Sequence, residues 1–246
     1  MTEKTGGKNW QQSQEGNKGE SQRTREEQKR EEQKDRQHER AEKELKQEEH
    51  QRAFGIVPAF NASLSQNAAP LTPGQKFRLA FKSATDPFTF AFAAVDASIN
   101  QAEDDYHGYG QGMAGYSKRF AASYVDTFDG TILGNALLPV VFHQDPRYFR
   151  KGTGSVKSRI WYAALSTVRC KGDNGRWQPS YSNLMGNLAA GTISNLYYPS
   201  GDRGVGLTFQ RAFTVSAEGA IGAILLEFWP DISRWWARRH DNKSQN

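Results

Sequence analysis

The sequence lacks the features on which catalysis and metal binding most often depend. It holds one cysteine, which excludes an intrachain disulfide and a multi-cysteine zinc site. It contains no G-x-S-x-G nucleophile motif, no H-E-x-x-H metal motif and no G-x-x-x-x-G-K-[ST] phosphate loop. We therefore predict neither a metal site nor a cofactor.

The first 52 residues also lack proline and nearly lack apolar side chains. They hold 13 Lys or Arg and 13 Asp or Glu, but only four apolar residues. No apolar segment follows Met1, so the start as given predicts a chain without a signal peptide, located in the cytoplasm. Because each cation has an anion beside it, this region offers no uncompensated positive charge, and we predict no nucleic-acid partner.

Charge spacing indicates what this region forms. From 23 to 52, Glu lies three or four residues from Lys or Arg, which supports a solvated helix by roughly 0.2 to 0.5 kcal/mol per pair. A coiled coil would need more apolar positions than Ala41 and Leu45 supply. The predicted divisions are an arm that passes from disorder to a charged helix (1–52), an extended linker (53–71), a helical body (72–240) and a disordered tail (241–246).

Prolines, capping residues and turns divide the body into helices. Predicted helices cover about 72–85, 86–105, 114–143, 155–171, 180–198 and 203–229, and a short basic helix follows from Pro230 to about His240. The expected N-caps are Thr72, Asp86, Ser155, Ser180 and Asp202. The only short β-branched run is Val140-Val141. The predicted fold class is all-α: a compact bundle of about five to seven close-packed helices.

Small residues recur every fourth position in these helices, which places them on one face. The clearest rows are Ser182, Gly186, Ala190 and Ser194, and beside them Asn183, Asn187, Gly191 and Asn195. Such rows let backbones approach closely, and they predict small-residue helix interfaces. Two settings fit them equally: a membrane bundle, or a tightly packed soluble bundle.

Charge interrupts the one segment long enough to span a bilayer. Phe209–Trp229 contains Arg211, Glu218 and Glu227, and a charge near the bilayer centre costs roughly 2.5 to 3.5 kcal/mol. We therefore predict no conventional transmembrane helix. Surface attachment remains, because aromatic and basic residues together favour the headgroup zone of an anionic leaflet. The candidate membrane anchor consists of Trp229, Trp235, Trp236, Arg234, Arg238 and Arg239; the alternative is a core tryptophan pair with a helix-ending basic cluster.

The densest polar motif offers an enzymatic alternative. In HQDPRYFRKG, His143 could act as a general base oriented by Asp145, or by Asp126 or Asp129 from the preceding turns. Arg147 and Arg150 would be available to hold an anion. The structural alternative is a helix that begins at Pro146, with Asp145 as its N-cap. Separately, Cys170 lies beside Arg169 and Lys171, two cations that would lower its pKa.

Four runs carry a family resemblance: GQGMAGYSKRFAASYVDTFDG, LLPVVFHQDPRYFRKGTGSVKSRIWYA, SYSNLMGNLAAGTISNLYYP and EFWPDISRW. Over about 52–236 the chain resembles a family of uncharacterised bacterial proteins, frequent in acidobacterial-type genomes. The resemblance implies an exported envelope protein and transfers no catalytic residue. The charged arm stands where family members carry a signal segment, so the envelope and the cytoplasm both stay open.

Three functions follow from these observations. The leading one is a non-enzymatic envelope or membrane-surface protein that assembles through its small-residue faces, with an anionic membrane surface and further copies of itself as partners. The second is a hydrolase or transferase that acts on an anionic or lipid-like substrate through His143, Asp145 and Arg147. The third is a soluble scaffold whose charged arm recruits a partner.

Overall fold

The computed structural model describes residues 6–50, 52–53, 57–58 and 61–244, without the side chains of 6–24, 52–53, 57–58, 236–237 and 239–244. These residues form helices α1 (Gly6–Glu48), α2 (Pro73–Ala84), α3 (Pro87–Ala102), α4 (Gly112–Ile132), α5 (Leu138–Val141), α6 (Val156–Ala164), α7 (Tyr181–Ser194) and α8 (Val205–Ser244). The predicted all-α bundle is confirmed.

Short strands connect the helices: β1 (Arg52–Ala53), β2 (Val57–Pro58), β3 (Ala62–Ser63), β4 (Gln144–Asp145), β5 (Tyr148–Phe149), β6 (Arg169–Gly172) and β7 (Trp177–Pro179). β1 pairs antiparallel with β2, and β3 pairs parallel with β5. β6 pairs antiparallel with both β4 and β7. These strands tie the linker and the loops to the helical body.

Several helix ends lie where the capping residues predict them. Thr72 and Gln75 form a complete capping box at the start of α2, and the Asp86 side chain caps α3. Ser155 accepts from the Ser158 amide at the start of α6. Ser180 makes no such bond; instead the Ser182 amide of α7 donates to Gln144 Oε1 at 2.9 Å. α7 therefore takes its cap from a distant residue.

The prediction that a helix extends from 155 to 171 is wrong at its end. α6 stops at Ala164, and the chain then forms the β6–β7 hairpin around the turn at Gly172–Gly175. The predicted helix start at Asp145-Pro146 is also wrong. The Asp145 side chain caps only the Arg147 amide, at 3.0 Å, and the segment is extended. A cap residue followed by proline therefore forms a turn here.

The predicted break at Pro230 is wrong as well, because α8 continues through this residue to Ser244. Proline removes a helical hydrogen bond and crowds the preceding turn. Two guanidinium groups donate to the carbonyl in that turn: Arg150 Nε and Arg159 Nη2 reach Glu227 O at 2.9 and 2.7 Å. The carbonyl that loses its helical donor to Pro230 is that of Leu226. The two guanidinium bonds one residue later tie this turn of α8 to α6 and to the segment after β5.

Between α4 and α5 the helix widens into one π-helical turn, Leu133–Leu137. The sequence predicts a bend here from its glycines and Pro139. α7 packs against this turn and against α8. A Cβ on Gly186 would lie 2.8 Å from the Gly134 Cα, and one on Gly191 would lie 2.6 Å from the Thr208 carbonyl oxygen. The predicted small-residue interfaces are therefore confirmed.

Amides reinforce the same contacts. Asn187 Nδ2 donates to Ser216 Oγ, and Asn195 Nδ2 donates to Thr208 Oγ1, both at 2.9 Å. Asn183 Nδ2 reaches the Thr167 carbonyl at 2.7 Å. Both rows of small residues are thus used within one chain, since α7 contacts its own neighbours through them.

The end of the charged arm is docked on the body. Ala41 and Leu45 are fully buried, and Leu45 packs with Leu71 and Leu79. By contrast, the side chains of residues 25–40 are exposed, as predicted for a solvated helix. The change in composition near residue 52 is therefore not a structural boundary. The last turns of α1 pack against the body.

The body distributes polarity against the usual pattern of a soluble protein. Its largest fully buried side chains include Arg119, Lys76, Gln144 and Glu227. Large apolar side chains are exposed on several helices, among them Phe213 at 76% and Trp161 at 69%. Charged residues are almost never fully buried in soluble proteins unless they are paired. The interior of this bundle combines ion pairs, hydrogen bonds and small residues with three apolar clusters, which contain Leu79, Tyr148 and Tyr198.

Candidate functional site

Asp126 is the centre of a buried polar cluster between α4, α7 and α8. Its carboxylate accepts from Ser194 Oγ and Tyr197 Oη at 2.5 Å and from Tyr198 Oη at 2.7 Å. Arg211 pairs with the same carboxylate. These donors occupy both carboxylate oxygens, so Asp126 acts as a structural anchor for three helices.

Glu227 is the centre of a second cluster and is fully buried in α8. Its carboxylate pairs with Arg159 at 2.6 Å and accepts from Tyr148 Oη at 2.6 Å. The backbone amides of Lys151 and Gly152 donate to it at 2.9 Å. This cluster fastens the HQDPRYFRKG segment to α8.

Arg147 is the centre of a third cluster and joins the arm to the body. Its guanidinium pairs with Asp145 at 2.8 Å and with Glu48 at 3.2 Å, and it donates to the Ala69 carbonyl at 2.6 Å. All three charged side chains are buried. Burial raises the pKa of Glu48 to about 7, although the Arg147 charge acts in the opposite direction.

The structure does not bring His143 together with Asp145 and Arg147 in one site. His143 is exposed and has a positive φ of 51°, at the end of the helical segment before β4. Asp145 directs its carboxylate to the backbone and guanidinium of Arg147. Among the described residues, no hydrogen bond to the imidazole is found. The geometry therefore supplies no general base beside the buried pair.

The residues of the candidate anchor lie at the C-terminal end of α8. Trp235 is 47% exposed, Trp229 is half-buried, and Arg234 and Arg238 are exposed. Arg234 pairs with Asp231 at 2.6 Å. The side chains of Trp236 and Arg239 lie outside the described residues. The described part of this end thus combines an exposed indole with exposed guanidinium groups.

One helix meets the length and composition of a membrane span among the residues that the structure describes. It is the segment Val205–Trp235 of α8, and 17% of its most apolar 18-residue stretch is buried within the bundle. The prediction of no conventional transmembrane helix was based on three charges in this segment, and length and composition alone do not test it. Two of the three charges counted against it are paired inside the bundle, Arg211 with Asp126 and Glu227 with Arg159.

A cavity of about 240 Å³ lies between α6, α7, α8, the π-helical turn and the hairpin; we call it the α8 cavity. Its floor is formed by small residues of α8, and polar side chains line its walls. The residues that line it include Asn61, Gly134, Asn135, Arg169, Cys170, Trp177, Ser182, Asn183, Gly219, Gly222, Ala223 and Leu226. Its lining combines amides, the guanidinium groups of Arg147 and Arg169, the Asp145 carboxylate that pairs with Arg147, and apolar surface. Apolar surface with a few polar groups is typical of a small-molecule site.

The cysteine on this cavity is not an activated nucleophile. Burial raises the pKa of Cys170 to about 11, so the thiol stays protonated near neutral pH. The prediction that Arg169 and Lys171 lower this pKa is wrong. Removal of the thiolate from water outweighs the attraction of nearby cations.

Most residues of these clusters could not be recognised from the sequence. Asp126 contacts partners 68 to 85 positions away, and Asn61 reaches the cavity from the linker. Local spacing carries no information on such contacts. Only the small-residue rows on α7 indicated where the helices would meet.

Comparisons with protein-family models, with curated proteins and with solved structures find no match. The resemblance to a bacterial envelope family therefore stays a prediction.

Proposed function

We propose that this protein is a membrane-associated helical bundle whose outer faces contact lipid chains. The supporting observation is that paired charged groups lie inside the bundle while many large apolar side chains are exposed on its outside. In lipid, apolar side chains gain nothing by turning inward, whereas ionisable groups face the interior of the bundle and pair.

The exposed apolar residues lie on several helices, so one docked protein would not cover them all. On α8 they follow a spacing of four residues, at Phe209, Phe213, Ile221 and Leu225. Further members on α2, α3, α6 and α7 are Phe81, Val95, Ile99, Trp161, Leu184 and Met185. Soluble monomers rarely expose contiguous apolar patches above a few hundred Å². A lipid bilayer contacts many faces of a bundle at once.

The ion pairs inside the bundle support the same setting. Lys76, fully buried, pairs with Asp173 at 2.8 Å, and Arg159 pairs with Glu227 at 2.6 Å. Buried pairs contribute little net stability in soluble proteins, where hydrophobic residues replace them at no loss. Within a bilayer, interior polar contacts and small-residue packing are among the forces that associate helices.

The small-residue rows have a role in folding under this proposal. Both rows of α7 face other helices of the same chain. We therefore assign them to folding of the bundle and not to assembly of copies. The exposed Trp235 with Arg234 and Arg238 suits the headgroup zone at one end of α8.

Vesicle flotation followed by alkaline carbonate extraction tests this proposal. The full chain is reconstituted into vesicles of phosphatidylcholine and phosphatidylglycerol, and we expect it to float and to resist extraction. The double variant Trp235→Ala, Trp236→Ala should still float, because the other faces remain in lipid. Release by carbonate, or loss of flotation in the double variant, would restrict contact to a surface anchor and contradict the proposal.

A further inference from the structure

The α8 cavity is kept open by glycines that no close packing requires. A Cβ built on Gly222 meets nothing within 4 Å, and one on Gly219 meets only the Thr167 methyl at 3.8 Å. Glycine within a helix costs roughly 0.5 to 1 kcal/mol relative to alanine. At Gly186 close approach explains the glycine, but at Gly222 the effect of the missing side chain is open space inside the molecule.

The cavity also presents polar groups without partners in the described part of the chain. Asn61 Oδ1 is buried and accepts no hydrogen bond. The Asn135 side chain, on the π-helical turn, has no hydrogen bond to any described residue. Buried acceptors are rarely left without a donor, and π-helical turns occur often at functional sites. The walls therefore offer hydrogen-bonding capacity that the described residues do not use.

A cation completes this lining. Arg169 makes no ion pair with any described residue, whereas Arg147, Arg150 and Arg159 are all paired with carboxylates. Its guanidinium lies 4.4 Å from the centre of the Trp177 ring and 5.8 Å from that of Tyr162. The Trp177 ring packs against the guanidinium and the Tyr162 ring lies within cation–π range, and the charge remains available to an anion.

We propose that the α8 cavity binds an anionic amphiphile with a single acyl chain. Arg169 pairs with its acid group, the free amides of Asn61 and Asn135 hydrogen-bond near the head, and the chain lies along Gly219, Gly222 and Ala223. The volume is below the 300 to 1,000 Å³ of most ligand pockets, so it encloses a head group and one chain segment but no two-chain lipid. The idea that this ligand comes from a membrane depends on the proposed membrane association. The binding site itself does not depend on it.

Native mass spectrometry of the full chain, released from non-ionic detergent micelles, counts bound ligand directly. We expect one laurate per protein molecule. Occupancy should be at least tenfold lower for dodecanol, which lacks the negative charge, and for inorganic phosphate, which lacks the alkyl chain. Arg169→Gln should lower laurate occupancy at least tenfold, and Gly222→Leu should abolish binding by filling the cavity. The matched controls Arg176→Gln and Gly206→Leu lie outside the cavity and should bind as the wild type does.

Thermal unfolding of each variant checks that the fold is intact, and Arg169→Gln still tests the site where Gly222→Leu fails to fold. Equal laurate occupancy in the wild type and Arg169→Gln would overturn the proposal, as would phosphate or dodecanol occupancy equal to that of laurate. Flotation of the same samples separates the two proposals. A chain that floats without binding laurate contradicts the site alone, and one that binds laurate without floating contradicts the membrane association alone.

Discussion

At the scale of single residues, the charged side chains inside this bundle act through their partners. Asp126 receives donors from α7 and α8, and Glu227 receives donors from α6 and from the segment after β5. A carboxylate buried without such donors would cost several kcal/mol. Stability at these positions therefore depends on complete networks, so removal of one partner has a large effect.

Asp126→Asn should destabilise the protein strongly, because it leaves the charge of Arg211 buried without a carboxylate. Breaking a buried pair in this way costs about 3 to 5 kcal/mol. Denaturant unfolding in detergent micelles measures the loss. Asp129→Asn is the matched control, since it lies one turn away on α4 and makes no ion pair with the described residues. Equal losses in the two variants would contradict the role of Asp126.

Glu48 should make the stability of the docked arm depend on pH. Its pKa is about 7 in the folded protein and about 4.5 when exposed, so the folded state holds the extra proton between these values. The contribution of Glu48 to stability therefore falls as the pH rises from 4.5 to 7. The neighbouring Glu49 has the opposite effect on stability. Although burial raises its pKa, Arg78 and Lys82 lower it below the ordinary value, so its contribution to stability grows as the pH rises.

The variant Glu48→Gln isolates this effect, since Glu49 is present in both proteins. Thermal unfolding at pH 5 and at pH 7.5 should show a larger loss on raising the pH for the wild type than for the variant. The exposed Glu31→Gln on the same helix should behave as the wild type does. An identical pH dependence in wild type and Glu48→Gln would refute the assignment.

At the scale of the elements, glycines divide into those that permit contact and those that leave space. Gly186→Ala should destabilise the protein by about 1 to 3 kcal/mol, because the new Cβ would overlap the backbone of Gly134. Gly130→Ala on α4 meets nothing within 4 Å and should stabilise the helix by roughly 0.5 to 1 kcal/mol. Unfolding midpoints that shift in the same direction for both would contradict the close packing of α7.

The elements also indicate what could be predicted from the sequence. The starts of α2, α3 and α6 follow from side chains that cap their own helix within three residues. The ends at Ala164 and beyond Pro230 do not follow from local residues. The end of α6 is followed by pairing of β6 with β4, which joins distant positions, and no local residue signals the continuation of α8 through Pro230. The α8 cavity escaped prediction for the same reason.

At the scale of the whole molecule, the fold sorts its residues by polarity in the sense expected of a bundle in lipid. The hydropathy of the full chain is dominated by the charged arm, whose side chains from 25 to 40 are exposed. The body alone carries the apolar outer faces and the paired interior. An average over both parts therefore conceals the apolar outer faces of the second.

Spin labels read by electron paramagnetic resonance test this central claim most directly. Single cysteines replace Phe213, Val95 and Leu184 on three helices, in a Cys170→Ser background, and Arg30 on the arm serves as the aqueous control. In reconstituted vesicles, labels on the three helices should collide mainly with oxygen, which concentrates in lipid, and the arm label mainly with a water-soluble nickel chelate. Access of the nickel chelate to all four positions alike would contradict the account.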